Sequence, residues 1–139
     1  MDTKIFEGNF FEIGKKQGEI YKKRGMSFDF VKIDSTRYEN QLSIYKKYYP
    51  ELLEEFEGMA EGGNFEKEKL IYHFITSEIK TYRDWFGSKK ACTIFGVKNG
   101  DQLFVGRNYD WLPKTEKLFE IYKVINPQRN SFLALTDGG

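Results

Sequence analysis

The sequence predicts an α+β fold, a helical half followed by antiparallel strands, and three observations carry that prediction. Up to about residue 90 the apolar residues recur at helical spacing, and beyond it they alternate with a period of two. Asn99-Gly100 falls between the first two apolar runs of the second half, the strongest short-range signal for a two-residue hairpin turn. Hydrophobic residues make up 40% of the 139 and aromatic residues 17%, far above the content of a disordered chain. One domain is expected, with residues 1–90 as a helical region and residues 91–139 as the start of a β-sheet core.

The first helix runs from Phe10 to Tyr21 with a loose apolar period. Gly14 and Gly18 lie four apart and share one face, which suits close packing against another helix. Asp34-Ser35-Thr36 offers N-caps for a second helix carrying Tyr38, Leu42, Tyr45 and Tyr49 on one side. Pro50 fits the first position of the next helix. Glu51, Glu54 and Glu55 crowd its first turns, where negative charge suits the helix dipole. Its apolar face is Leu52, Leu53, Phe56 and Met59-Ala60, and Gly62-Gly63 ends it. From Lys67 to Phe86 a clear 3.6-residue stripe follows: Leu70, Ile71, Phe74, Ile75, Ile79, Tyr82 and Trp85-Phe86. After the polar break at Gly87-Ser88-Lys89-Lys90, strands are expected over Cys92–Val97, Gln102–Arg107, Leu118–Ile125 and Phe132–Leu135. The closing Asp137-Gly138-Gly139, turn residues directly after a strand, reads as a sheet cut before its next element.

Charge and cysteine usage exclude several classes of function. Lys and Arg number 22 against 21 Asp and Glu, a net charge of +1, with the signs mixed along the chain. Neither a basic stripe for nucleic acid nor a charged tail is present. The single cysteine, Cys92, rules out an internal disulfide framework and a multi-cysteine metal site, so no metal or cofactor is expected. No apolar run reaches the length of a secretory signal or a membrane span, and a cytoplasmic location is the expectation. His73, the one histidine, lies within the helix from Lys67 and has Lys69 and Ser77 four residues either side, so it reads as a structural residue.

The hairpin draws attention back to Cys92. With Asn99-Gly100 as the turn, Lys98 pairs with Asp101 and Cys92 falls opposite Arg107. Directly opposed residues bring their Cβ atoms to about 4.5–5.5 Å, and a neighbouring cation favours thiolate. Asp110, three residues past Arg107, is placed to reach the group at the backbone nitrogen of residue 92, or alternatively serves as a turn residue or an ion-pair partner for Arg107. Tyr109 and Trp111 are candidates for lining a substrate pocket, although aromatic residues after a strand more often belong to a core.

Cys92-Thr93, the hairpin, and Gly106-Arg107-Asn108-Tyr109-Asp110-Trp111 resemble the N-terminal-nucleophile (Ntn) hydrolases of the penicillin acyltransferase type, and the Cys-Thr…Arg-Asn-x-Asp arrangement is similar to that of the choloylglycine hydrolases. Upstream, Phe11-Glu12-Ile13-Gly14…Gly18 resembles the opening helix of the acyltransferase-type family. The segment from Pro50-Glu51-Leu52-Leu53 to Gly58-Met59-Ala60-Glu61-Gly62-Gly63 resembles its helical pro-segment. The resemblance implies a four-layer αββα sandwich and a precursor that cleaves itself at Ala91–Cys92. It further implies that Cys92 forms an acyl-enzyme, that its freed α-amine acts as base, that Asp110 orients the amine, and that Arg107 holds the surroundings of the thiol. An α-amine with a pKa of about 7.7–8.0 accepts the thiol proton at neutral pH without a histidine.

Members of that family are longer, and their second half supplies further strands and an oxyanion-stabilising asparagine. The chain is therefore expected to correspond to the N-terminal part of such a fold, partnered by a missing C-terminal half or by another copy. Two functions follow as expectations. One is an amidase or acyltransferase acting on small amide or acyl substrates through Cys92. The other is a catalytically incompetent relative that serves as a binding or interaction domain.

Overall fold

The computed structural model describes residues 3–84, 92–109 and 120–136. The elements run β1 (Thr3–Glu7), α1 (Phe10–Lys23), α2 (Ser35–Tyr48), α3 (Pro50–Gly63), α4 (Lys67–Asp84), β2 (Cys92–Asn99), β3 (Gln102–Tyr109), β4 (Glu120–Ile125) and β5 (Phe132–Thr136). This is an α+β protein, as the two periodicities predict. Trp85, Phe86, Ala91, Asp110, Trp111, Leu118 and the closing Asp137-Gly138-Gly139 lie outside the described residues.

Local chemistry accounts for most helix ends. Asn9 and Glu12 form a reciprocal capping box at α1, with Asn9 Oδ1 accepting from the Glu12 N–H at 2.9 Å and Glu12 Oε2 accepting from the Asn9 N–H at 2.8 Å. Asp34 caps α2 by accepting from the Arg37 N–H at 3.0 Å. Pro50 opens α3. The helix stops after Gly63 as expected, but Asn64 takes the left-handed cap conformation, at φ 53° and ψ 46°.

Two cores result. The larger joins Tyr21 of α1, Phe28 and Val31 of the following loop, Phe56, Met59 and Ala60 of α3, and Leu70, Ile71, Tyr72 and Ile75 of α4. Helix α2 contributes no buried residue and lays Tyr38, Leu42 and Tyr45 against that core half-buried. The smaller core holds Phe6, Ile13, Tyr122 and Val124, between α1 and a three-stranded sheet.

That sheet contains a strand that the sequence pattern does not announce. β1 pairs in parallel with β4, Thr3 opposite Ile121 and Glu7 opposite Ile125, while β4 and β5 pair antiparallel. The sheet order is β1-β4-β5, so the first residues of the chain and residues 120–136 share one sheet. β2 and β3 form a separate two-stranded antiparallel ribbon.

The ribbon corrects the predicted register. Asn99 pairs with Gln102, Gly100-Asp101 form the turn, and Cys92 lies opposite Tyr109, not Arg107. The reason lies in backbone dihedrals. A type I′ turn over Asn99-Gly100 needs positive φ at both residues, whereas a type II′ turn needs it only at a first-position glycine. Gly100 has φ 60°, and Asn64 is the one non-glycine residue with positive φ among the described residues.

Candidate functional site

Cys92 is the first residue of β2. Its partner across the ribbon is Tyr109, and Arg107 pairs with Ile94. The observed register differs from the predicted one by two residues, which preserves the face. Positions 92 and 107 remain on the same side as diagonal neighbours, about 7–8 Å apart in such a ladder. The ribbon therefore brings together the positions of Cys92, Arg107 and Tyr109. Asp110 follows Tyr109 in the chain but, like Ala91 and Trp111, lies outside the described residues.

Both faces of the ribbon carry exposed apolar side chains. Ile94 and Val105 share the Cys92 face and are 70% and 63% exposed. Phe95, Val97 and Phe104 occupy the other face and are exposed as well. Phe95 lies against Gly106, its direct partner, so closely that a β-carbon on residue 106 would meet the ring.

A second feature lies in the helical half. Helices α1 and α3 cross with their backbones in contact: Gly14 abuts the Glu55 carbonyl, Gly18 the Met59 carbonyl, Gly58 the Phe11 carbonyl and Gly62 the Lys15 carbonyl. This is the packing face expected of Gly14 and Gly18, with Gly58 and Gly62 reciprocating at the same four-residue spacing. The close crossing carries Glu55 to the α1 side, where Gln17 hydrogen-bonds its carboxylate. There Glu55 borders a cavity of about 320 Å³ roofed by α1, α3 and Phe74 of α4 and floored by β4 and β5. Burial raises the Glu55 carboxyl above its ordinary range, and the Gln17 hydrogen bond offsets only part of the shift. Among the described residues lining the cavity, none belongs to β2 or β3. From sequence, Glu55 is assigned only to the helix dipole. The signal that places it at the cavity is the second glycine pair, Gly58 and Gly62, which turns this part of α3 toward α1.

Glu120, at the start of β4, gathers three donors. Lys4 of β1 and Arg24 at the end of α1 both pair with its Oε1, and the Tyr122 hydroxyl donates to Oε2 at 2.9 Å. Burial alone would raise the carboxyl, but these hydrogen bonds outweigh it and hold the pKa at about 2. Burial and then the bond to Glu120 push Tyr122 up to about 12. This cluster ties β1 and the end of α1 to β4 and carries no unpaired group suited to catalysis.

His73 lies among aromatic rings, with Phe28, Phe74 and Phe30 at centroid distances of 5.3, 5.5 and 6.0 Å. That surrounding agrees with its structural assignment. No cluster of three potential metal ligands occurs among the described residues. No helix among them is long and apolar enough to cross a membrane. No protein-family model matches the chain, and no curated protein matches it.

Proposed function

We propose that the chain carries the nucleophile of an autoprocessing cysteine Ntn hydrolase or acyltransferase acting on small linear amides. The observation that carries the reading is the register of the ribbon: Cys92 opens β2 with the position of Arg107 on the same face two pairs along the ladder. A guanidinium at that position favours thiolate over thiol and suits a carboxylate on an incoming substrate. Exposed apolar side chains on both faces of the ribbon support the αββα expectation, since strands enclosed between layers bury apolar residues on both sides.

Processing begins with addition of the Cys92 thiol to the carbonyl carbon of Ala91. The C–N bond breaks as the nitrogen takes up a proton, leaving a thioester that water hydrolyses to a new carboxylate and a free thiol. The α-amine thus released then accepts the thiol proton. Thiolate attack on a substrate amide gives an acyl-enzyme, the amine leaves with the proton, and water or a second amine resolves the thioester. Asp110 orients the α-amine, Arg107 holds the thiolate region, and Tyr109 and Trp111 flank the substrate. The alternative reading, a binding domain without turnover, is favoured by the cavity beside Glu55, which needs no contribution from the ribbon.

Intact mass of fresh and aged protein tests the proposal, with Cys92→Ala as control. Two fragments divided between Ala91 and Cys92, absent from the control, support it, and acyl-amide hydrolysis that also disappears in Cys92→Ala completes it. An uncleaved chain, or amide turnover that survives in the control, favours the binding-domain reading.

A further inference from the structure

The cavity between the helices and the β1-β4-β5 sheet combines an apolar interior with one unneutralised acid. Its walls include Phe56 and Phe74, stacked at 5.2 Å, and Tyr122, whose hydroxyl is committed to Glu120. Arg129 borders the opening, but its guanidinium already pairs with Glu51 at 2.9 Å. Asn126 is buried, with its side-chain oxygen accepting from the Gln128 N–H at 2.8 Å. Glu55 is therefore the charged group left to a ligand: it has the neutral amide of Gln17 as hydrogen-bond partner, and no cation pairs with it among the described residues.

We propose that this cavity binds a small primary amine with an aromatic or short aliphatic body, the ammonium pairing with Glu55 and the body lying against Phe56 and Phe74. The chemistry is complementary at both ends. An ammonium neutralises a carboxylate that is otherwise costly to keep half-buried. Aromatic faces attract cations and bury apolar carbon equally well. A carboxylate ligand would meet Glu55 with like charge, and Arg129 offers it only a guanidinium already engaged by Glu51. The volume of about 320 Å³ is at the small end for ligand pockets, with room for roughly ten non-hydrogen atoms. The inference is independent of the chemistry at Cys92.

Calorimetric titration of the full chain with 2-phenylethylamine, 2-phenylethanol and 3-phenylpropionate tests it. The amine is expected to bind at least about tenfold more tightly than the alcohol, and the acid more weakly than either. Glu55→Gln should abolish the advantage of the amine while leaving the alcohol bound. Ala134→Phe, which places a ring on the β5 wall, should block all three while unfolding stays cooperative. Equal binding of the three probes, preference for the acid, or no binding to the folded wild-type chain overturns the proposal. So does an amine preference that survives in Glu55→Gln, or amine binding that survives in Ala134→Phe. The comparison among probes on the wild-type chain decides the matter even if a variant fails to fold.

Discussion

Gly14 of α1 lies against the backbone carbonyl of Glu55 on α3 with no space between them for a β-carbon. Neither partner can yield as a flexible side chain would, because each contact is backbone against backbone. Alanine in a helix gains up to about 1 kcal/mol over glycine, but overpacking commonly costs about 1–3 kcal/mol and has no easy relaxation here. Gly14→Ala and Gly58→Ala are therefore expected to destabilise the protein by roughly 1–3 kcal/mol in urea unfolding. Gly25→Ala provides the contrast. It has open space around it and only a left-handed backbone, at φ 72°, to lose, so its cost should stay near 1 kcal/mol.

Acid should weaken the protein through Glu120. Its pKa is depressed from 4.5 to about 2, so the stability it contributes is complete above about 4.5 and is lost as pH falls toward 2. Urea midpoints of the wild-type chain should fall across that window. Glu120→Gln should flatten that part of the profile and cost about 1–3 kcal/mol at neutral pH, where Lys4 and Arg24 lose their charged acceptor. Equal acid slopes for wild type and variant would show that other carboxylates govern the transition. Tyr122 acts at the alkaline end, its contribution complete below 10 and lost as pH rises toward 12. Tyr122→Phe should remove that loss.

What the sequence reveals follows from how local each signal is. Asp34, Pro50 and the stripe through Leu70, Ile71 and Ile75 act within a few residues, and each lands where expected. β1 leaves almost no local trace: Phe6 is its one buried residue, and its pairing partner β4 lies more than a hundred residues away. The hairpin is visible in the sequence, but its register turns on a choice between two glycine-containing dipeptides that composition does not resolve. Glu55 shows a third kind of limit. Its acidity suits a helix start, and only the two reciprocal glycine pairs reveal that it also faces a cavity.

The turn register has its own test. Gly100 adopts φ 60°, and a β-carbon added there would have nothing within 4 Å, so an L-residue meets backbone strain and no clash. Gly100→Ala should destabilise the ribbon by about 1–2 kcal/mol, and D-alanine introduced there by chemical ligation should restore or exceed wild-type stability. Asn99 sits in the strand, so Asn99→Thr should be tolerated at a cost under about 0.5 kcal/mol. Severe loss from that change would instead place Asn99 within the turn and return Cys92 to a position opposite Arg107.

The role proposed for Arg107 can be read through the reactivity of Cys92. If Arg107 supports a Cys92 thiolate as proposed, removing its charge should move the alkylation pH profile upward. In Arg107→Ala, iodoacetamide labelling at pH 7 is expected to slow by about 3–10-fold, whereas Arg107→Lys keeps the charge and most of the rate. Far-UV circular dichroism separates this electrostatic effect from loss of the ribbon. A labelling profile unchanged in a folded Arg107→Ala protein would remove Arg107 from the surroundings of the thiol. The proposed nucleophile would then lack the feature of the ribbon that most distinguishes it from a structural cysteine.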